Sequence, residues 1–124
     1  MAETPRQIAL DVLTDVETKA CFADEVLNRH LSRGGALEKR ERNFLFELTK
    51  GTLRWRGKVD YFLEQIASRP LEAMPVRIKN ILRLAAYQIL FLDRVPDWAA
   101  VDQAAELIPP EAVGFVILRW PANT

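Results

Sequence analysis

Along nearly the whole chain apolar residues recur at three- and four-residue steps and nowhere alternate over the length of a strand, so the pattern predicts an all-α fold. The stretch from Ile78 to Pro96 is the one the others must be arranged around. Ile78, Leu82, Ala85, Ile89 and Leu92 fall on one helical stripe, and between Leu84 and Leu92 only Tyr87 and Gln88 carry polar side-chain atoms. A helix with so little preference for water is predicted to be enclosed by others, running from about Pro75 to Leu92 with Pro96 closing it. Arg77, Lys79 and Arg83 interrupt the run too soon for a membrane span. The Gln88 amide must find partners inside such a fold, which makes it a structural residue holding a neighbouring backbone.

The flanking elements read as amphipathic helices. Thr4 followed by Pro5 is a hydroxyl cap and then a proline at the first helical position, with Ile8, Ala9, Val12, Leu13 and Val16 as the buried stripe. A second helix is expected from Ala23 to Ser32, with Val26, Leu27 and Leu31 inward and Gly34-Gly35 ending it. Just before it, Cys21 reads as small packing rather than a nucleophile, because no basic residue at suitable spacing would activate it. The third helix is expected from about Leu37 to Gly57. Phe44, Leu48 and Trp55 make its core face, while Lys39, Asn43, Glu47, Lys50, Arg54 and Lys58 follow one another on a polar row. Phe46 and Leu53 project beside that row. Gly51 inside this helix costs about 1 kcal/mol relative to Ala and so predicts a close backbone crossing.

Further helices are expected from Val59 to Ser68, broken by Arg69-Pro70, and from Asp97 as cap to Ile108, with Val101, Ala104, Ala105 and Leu107 as apolar positions. Pro109-Pro110 stops the latter, and Glu111 to Arg119 can form a last turn or two. At 124 residues, without repeats or a low-complexity linker, the chain reads as a single domain over 1–124 whose core needs neither disulfide nor metal. One cysteine and one histidine exclude an internal disulfide and the usual zinc ligand sets. The N-terminus reads directly into a helix with no basic start and apolar signal core, which places the protein in the cytoplasm.

Charge changes the picture only when it is localised. The 17 basic and 17 acidic side chains cancel, yet the imbalance is −4 over residues 1–28, +6 over 29–58 and −2 over 59–124. A cationic row on one helix face, preceded by Arg29, His30 and Arg33, has the makings of a phosphate-binding surface, with Phe46, Trp55 and Arg54 as planes for unstacked bases. The competing reading is that the row is a solvated face that only keeps the protein soluble.

The segments KGTLRWR from Lys50 to Arg56 and LRLAAYQILFLDRVPDWAAVDQAAELI from Leu82 to Ile108 give the chain a resemblance to the NusB-like all-helical domain. They resemble in particular its form at the N-terminus of bacterial ribosomal RNA cytosine-C5 methyltransferases. The resemblance implies a compact bundle of about six to seven helices around a buried central helix, and RNA binding without chemistry. It points to a surface formed by the first helix and the basic middle segment, with Arg6, Lys50, Arg54, Arg56 and Lys58 as the RNA contacts. It implies no cofactor, no metal and no catalytic residue here. The S-adenosylmethionine-binding catalytic domain of those methyltransferases has no counterpart in this sequence, which lacks its glycine-rich loop, acidic ribose ligand and Pro-Cys motif. The end departs from the family pattern: PPEAVGFVILRWPANT reads as two residues short between Gly114 and Arg119.

Three functions follow from these readings. The first is an RNA-binding accessory domain that holds ribosomal RNA while a methyltransferase catalytic domain does the chemistry. The second is a free-standing antitermination factor of the NusB type, binding RNA together with a small ribosomal-subunit protein. The third is a protein-binding helical module or homodimer, joined through Phe46, Leu53 and neighbouring apolar surface.

Overall fold

A computed structural model describes residues 4–32, 37–67 and 69–109. Its helices are α1 (Pro5–Lys19), α2 (Ala23–Ser32), α3 (Lys39–Arg54), α4 (Arg56–Ile66), α5 (Val76–Phe91) and α6 (Asp97–Leu107), with a 3-10 turn at Leu71–Ala73 between α4 and α5. No strand occurs among the described residues, so the all-α expectation holds. The expected stop at Gly34-Gly35, the residues after Pro109 and the shortened stretch between Gly114 and Arg119 lie outside the described residues.

α5 is the rod about which the others assemble, packing on α1, α3, α4 and α6. Its burial runs around the axis, through Ile78, Ile81, Leu82, Leu84, Ala86 and Tyr87, as expected of a helix enclosed by others. Ala85 and Ile89 of the expected stripe are half-buried, because they border an open apolar groove between α4, α5 and α6. Pro96 does not close α5. The helix ends at Phe91 with Leu92 as its cap, whereas Pro96, extended at φ −61° and ψ 143°, opens α6. Asp97 is accordingly the first helical residue rather than the cap, where its charge still favours the positive end of the helix.

α1 forms as its sequence dictates. The Thr4 hydroxyl accepts from the Gln7 N–H at 3.2 Å, and the Gln7 side chain accepts from the Thr4 N–H at 2.8 Å, a reciprocal capping box. Ile8, Ala9, Val12 and Leu13 are buried as expected, together with Leu10. α2 takes the expected bounds, with Val26 and Leu27 buried and Leu31 packed against the core. Cys21 is partly buried against that core, as a packing role requires.

The break between the third and fourth helices, expected just after Gly57, falls earlier, at Trp55. At Trp55 the backbone turns to φ −102° and ψ 20°, so α3 ends there while the Trp55 carbonyl accepts from the Val59 N–H at 2.9 Å to start α4. Two expectations fall with that break. The core face of α3 is Leu45, Leu48, Thr49 and Thr52, and Trp55, expected inside, is 43% exposed. Lys58 belongs to α4, so the polar row does not continue through it along one face. α6 meets expectation in part: Ala104 and Leu107 pack against the core, but Ala100 is its buried residue, while Val101 is 51% exposed and Ala105 faces outward.

Candidate nucleic-acid interface

The five expected contacts do not form one patch. Arg6 stands at the start of α1, where its Nε donates to Gln88 Oε1 at 3.0 Å and its guanidinium lies 5.2 Å from the centroid of Phe44 on α3. Burial lowers its pKa below the usual arginine value, although a guanidinium stays charged at neutral pH. Phe44 and Arg54 are ten residues apart on α3, which puts Arg6 roughly 15 Å from the far end of that helix at 1.5 Å rise per residue. Arg6 is thus seated in the fold with only part of its guanidinium outward.

Lys50 is paired with Asp24 of α2 at 2.7 Å, both side chains being largely exposed. A pair so open to water contributes little and can be exchanged for another anion. Glu47 of the same row is held by Arg94. Carboxylates therefore partly neutralise the ridge, more than its sequence suggested.

Arg54, Arg56 and Lys58 come together where α3 meets α4. Arg54 is exposed and makes no ion pair among the described residues. Lys58 is also exposed, with its Nζ 5.7 Å from the centroid of Phe91. Arg56 turns the other way, towards Asp60 at 3.9 Å, as two residues about 200° apart on a helix must. Between these cations Trp55 stacks on Phe91, with ring centroids 5.2 Å apart, and Phe91 stacks in turn on Tyr87 at 5.3 Å.

Arg33 is outside the described residues, and the His30 Nε2 stands 3.8 Å from Asp15 of α1. Phe46 and Leu53, expected to offer apolar surface for a homodimer, are half-buried against the core. The large apolar side chains most open to solvent are instead Phe22, Trp98 and Tyr61, and a separate open groove of about 390 Å³ is lined by Phe62, Ala85, Ile89, Val101 and Ile108 among others.

Gln88 is buried and finds its partners inside the fold, as its place in the helix requires. Its Nε2 donates to the Leu84 carbonyl of its own helix at 2.9 Å, while its Oε1 accepts from Arg6, a side chain rather than a neighbouring backbone. Gln88→Ala is expected to destabilise the fold by about 1–3 kcal/mol, because it leaves the half-buried Arg6 Nε without its partner. Urea titration measures this; a variant as stable as the parent would show that water replaces the amide.

Among the described residues no group of three or more His, Cys, Asp or Glu could hold a metal ion, and no helix is long and apolar enough to cross a membrane. What the fold and the site define is a small helical domain whose distinctive surface is a cationic and aromatic joint between two helices. Residues 3–110 match the NusB family, and the chain belongs to that family. It is 32% identical over 102 residues to the probable ribosomal RNA small subunit methyltransferase B of Synechocystis sp., a match covering 82% of this chain and 23% of that protein. The protein of the same name from Bacillus subtilis is also 32% identical over 102 residues, with 22% of its length covered. The transcription antitermination protein NusB of Acidothermus cellulolyticus is 33% identical over 103 residues, covering 82% of this chain and 69% of that protein. The chain thus spans less than a quarter of the two methyltransferase relatives.

Proposed function

We propose that this chain is a non-catalytic RNA-binding domain, equivalent to the N-terminal part of a small-subunit ribosomal RNA methyltransferase, whose contact surface centres on the joint between α3 and α4. The observation that carries this is the pair of exposed cations, Arg54 and Lys58, beside a half-exposed tryptophan and without a carboxylate partner among the described residues. Cations left open to solvent take phosphates and release the counterions condensed on them, so affinity falls as salt rises. Lys50 and Arg56 extend the surface once their exposed partners are exchanged for phosphate, and Arg6 contributes its outward nitrogens from the far end of α1. The methyltransferase names of two relatives support ribosomal RNA as the ligand and a catalytic domain as the natural neighbour. The antitermination name of the third supports a free-standing factor as the second reading, which differs in needing a protein co-ligand. Cytoplasmic residence goes with either reading.

Filter-binding titrations of ribosomal RNA fragments at two salt concentrations test the surface. Arg54→Glu with Lys58→Glu is expected to weaken binding at least about tenfold and to flatten the log-log salt slope by roughly 0.7 for each phosphate of single-stranded RNA that is no longer neutralised. The melting temperature should hold within a few degrees, since surface changes of this kind are worth about 0.5 kcal/mol or less. Unchanged affinity and slope would remove the joint from the binding surface.

A further inference from the structure

Trp55 sits where a tryptophan is costly to leave unburied, and the packing around it shows why it is held there. One face of the indole lies on Phe91 at 5.2 Å and 23°, and Phe91 lies on Tyr87 at 5.3 Å and 26°. Tyr87 is 7% exposed, and its ring fits against the backbone of α3 only because Gly51 carries no side chain. The three rings are a fixed ladder rooted in the core and open at its outer rung. Such a plane loses little freedom when a fourth ring is laid on it.

The surroundings choose the class of ring. Trp98, the other exposed tryptophan among the described residues, has Asp97 within its sequence neighbourhood and shares a shallow surface with Asp102, so a polyanion would be repelled there. Trp55 is flanked in sequence by Arg54 and Arg56, and Lys58 stands over the next ring of the ladder. A ring that arrives with phosphates attached is a nucleobase. Bases in a duplex are covered on both faces by their neighbours, so the base must be unpaired.

We propose that Trp55 is a base-stacking residue: one unpaired nucleobase of RNA lies on its outer face, with the adjoining phosphates held by Arg54 and Lys58. This rests on the RNA-binding reading above and adds to it a contact that phosphate attraction alone does not require.

The test uses the full chain carrying Trp98→Phe and Trp120→Phe, so that indole fluorescence reports Trp55. It is titrated with oligouridylate, with a ribose-phosphate oligomer of the same length lacking bases, and with a fully paired RNA duplex. Oligouridylate is expected to quench the fluorescence, and the baseless oligomer is not. In the parent chain Trp55→Ala should cost oligouridylate affinity about five- to 150-fold, the range that stacking losses span, while the salt slope and the affinity for the baseless oligomer are unchanged. Trp55→Phe, which keeps a ring, should recover most of the loss and guards against a folding defect. If Trp55→Ala binds oligouridylate as tightly as the parent and salt dependence persists, stacking is overturned and the phosphate reading survives. If none of the three ligands binds in a salt-dependent way, both are overturned. Loss of self-association in Trp55→Ala, with no nucleic-acid binding by the parent, would reassign the joint to a protein partner.

Discussion

Arg83→Met is expected to destabilise this fold by about 3–5 kcal/mol, because a methionine there leaves carboxylates without the guanidinium they surround. Arg83 is 4% exposed. Its Nε and one terminal nitrogen grip Asp60 of α4 at 2.8 and 3.0 Å, and the other terminal nitrogen reaches Glu17 of α1 at 2.9 Å and Asn80 at 3.2 Å. Lys79 completes the cluster at 2.9 Å from Glu17. One side chain therefore ties three helices, and its loss leaves Asp60 with only the more distant Arg56 and Glu17 with only Lys79, both partly shielded from water. The midpoint of urea unfolding should fall sharply with little change in slope. Replacing Arg83, Glu17 and Asp60 together by apolar residues should recover much of the loss, since the expense lies in leaving partners behind. A loss below about 1 kcal/mol in the single variant would mean that water reaches the cluster and the ties are those of an ordinary surface pair.

The same cluster contributes to the acid limb of stability. Burial pushes the Glu17 carboxyl up, but the hydrogen bonds and charges of Lys79 and Arg83 outweigh it and hold the group below its ordinary value of 4.5. A carboxyl depressed in the folded state contributes stability that is present above its unfolded value and is lost as pH falls through the folded one. The parent should therefore weaken as pH drops below the ordinary carboxylate range, and Arg83→Met should weaken less over that interval. Parallel pH profiles for the two proteins would contradict this.

The sequence carries the architecture further than the site. Thr4-Pro5, the bounds of α2 and the extent of α5 are legible because caps, prolines and apolar periodicity are local signals. The exact place of the break between α3 and α4 is not, because the helical period runs on through Arg54, Trp55 and Arg56 with no proline, so the boundary is expected at about Gly57 while the backbone angles at Trp55 set it earlier. The stack that holds Trp55 is hidden for another reason: Phe91 is far along the chain and belongs to a helix that reads as wholly internal. Arg83 reads as a mere interruption of an apolar run. A charge on a helix buried around its axis must be paired, so the rule that buried charges have partners singles it out, though it does not name Asp60 and Glu17. The partial neutralisation of the ridge is invisible too, since Asp24 and Arg94 reach it from other elements. With a net charge of zero, the sequence points to RNA chiefly through its family resemblance.

Gly51→Ala is expected to destabilise the protein by about 2–3 kcal/mol, although alanine is the better helix former by up to about 1 kcal/mol. The close approach expected at this glycine is real, but a side chain makes it rather than a backbone. An added Cβ would fall 2.0 Å from the Tyr87 Oη and 2.2 Å from Cζ. A flexible tip could move aside cheaply; Tyr87 cannot, because its ring is buried and stacked on Phe91. The methyl must therefore separate α3 from α5 or push the ring off its neighbour, and either disturbs the ladder that ends at Trp55. Tyr87→Ala alone should cost about 3–5 kcal/mol as a large-to-small core change. In the double variant the new methyl enters space the ring has vacated, so the combined loss should fall short of the additive sum by about 1–3 kcal/mol, within the coupling found for residues in contact. Additive losses in chemical unfolding would show that the helices relax around the methyl independently of the ring, and the ladder would then not be the rigid support that Trp55 requires.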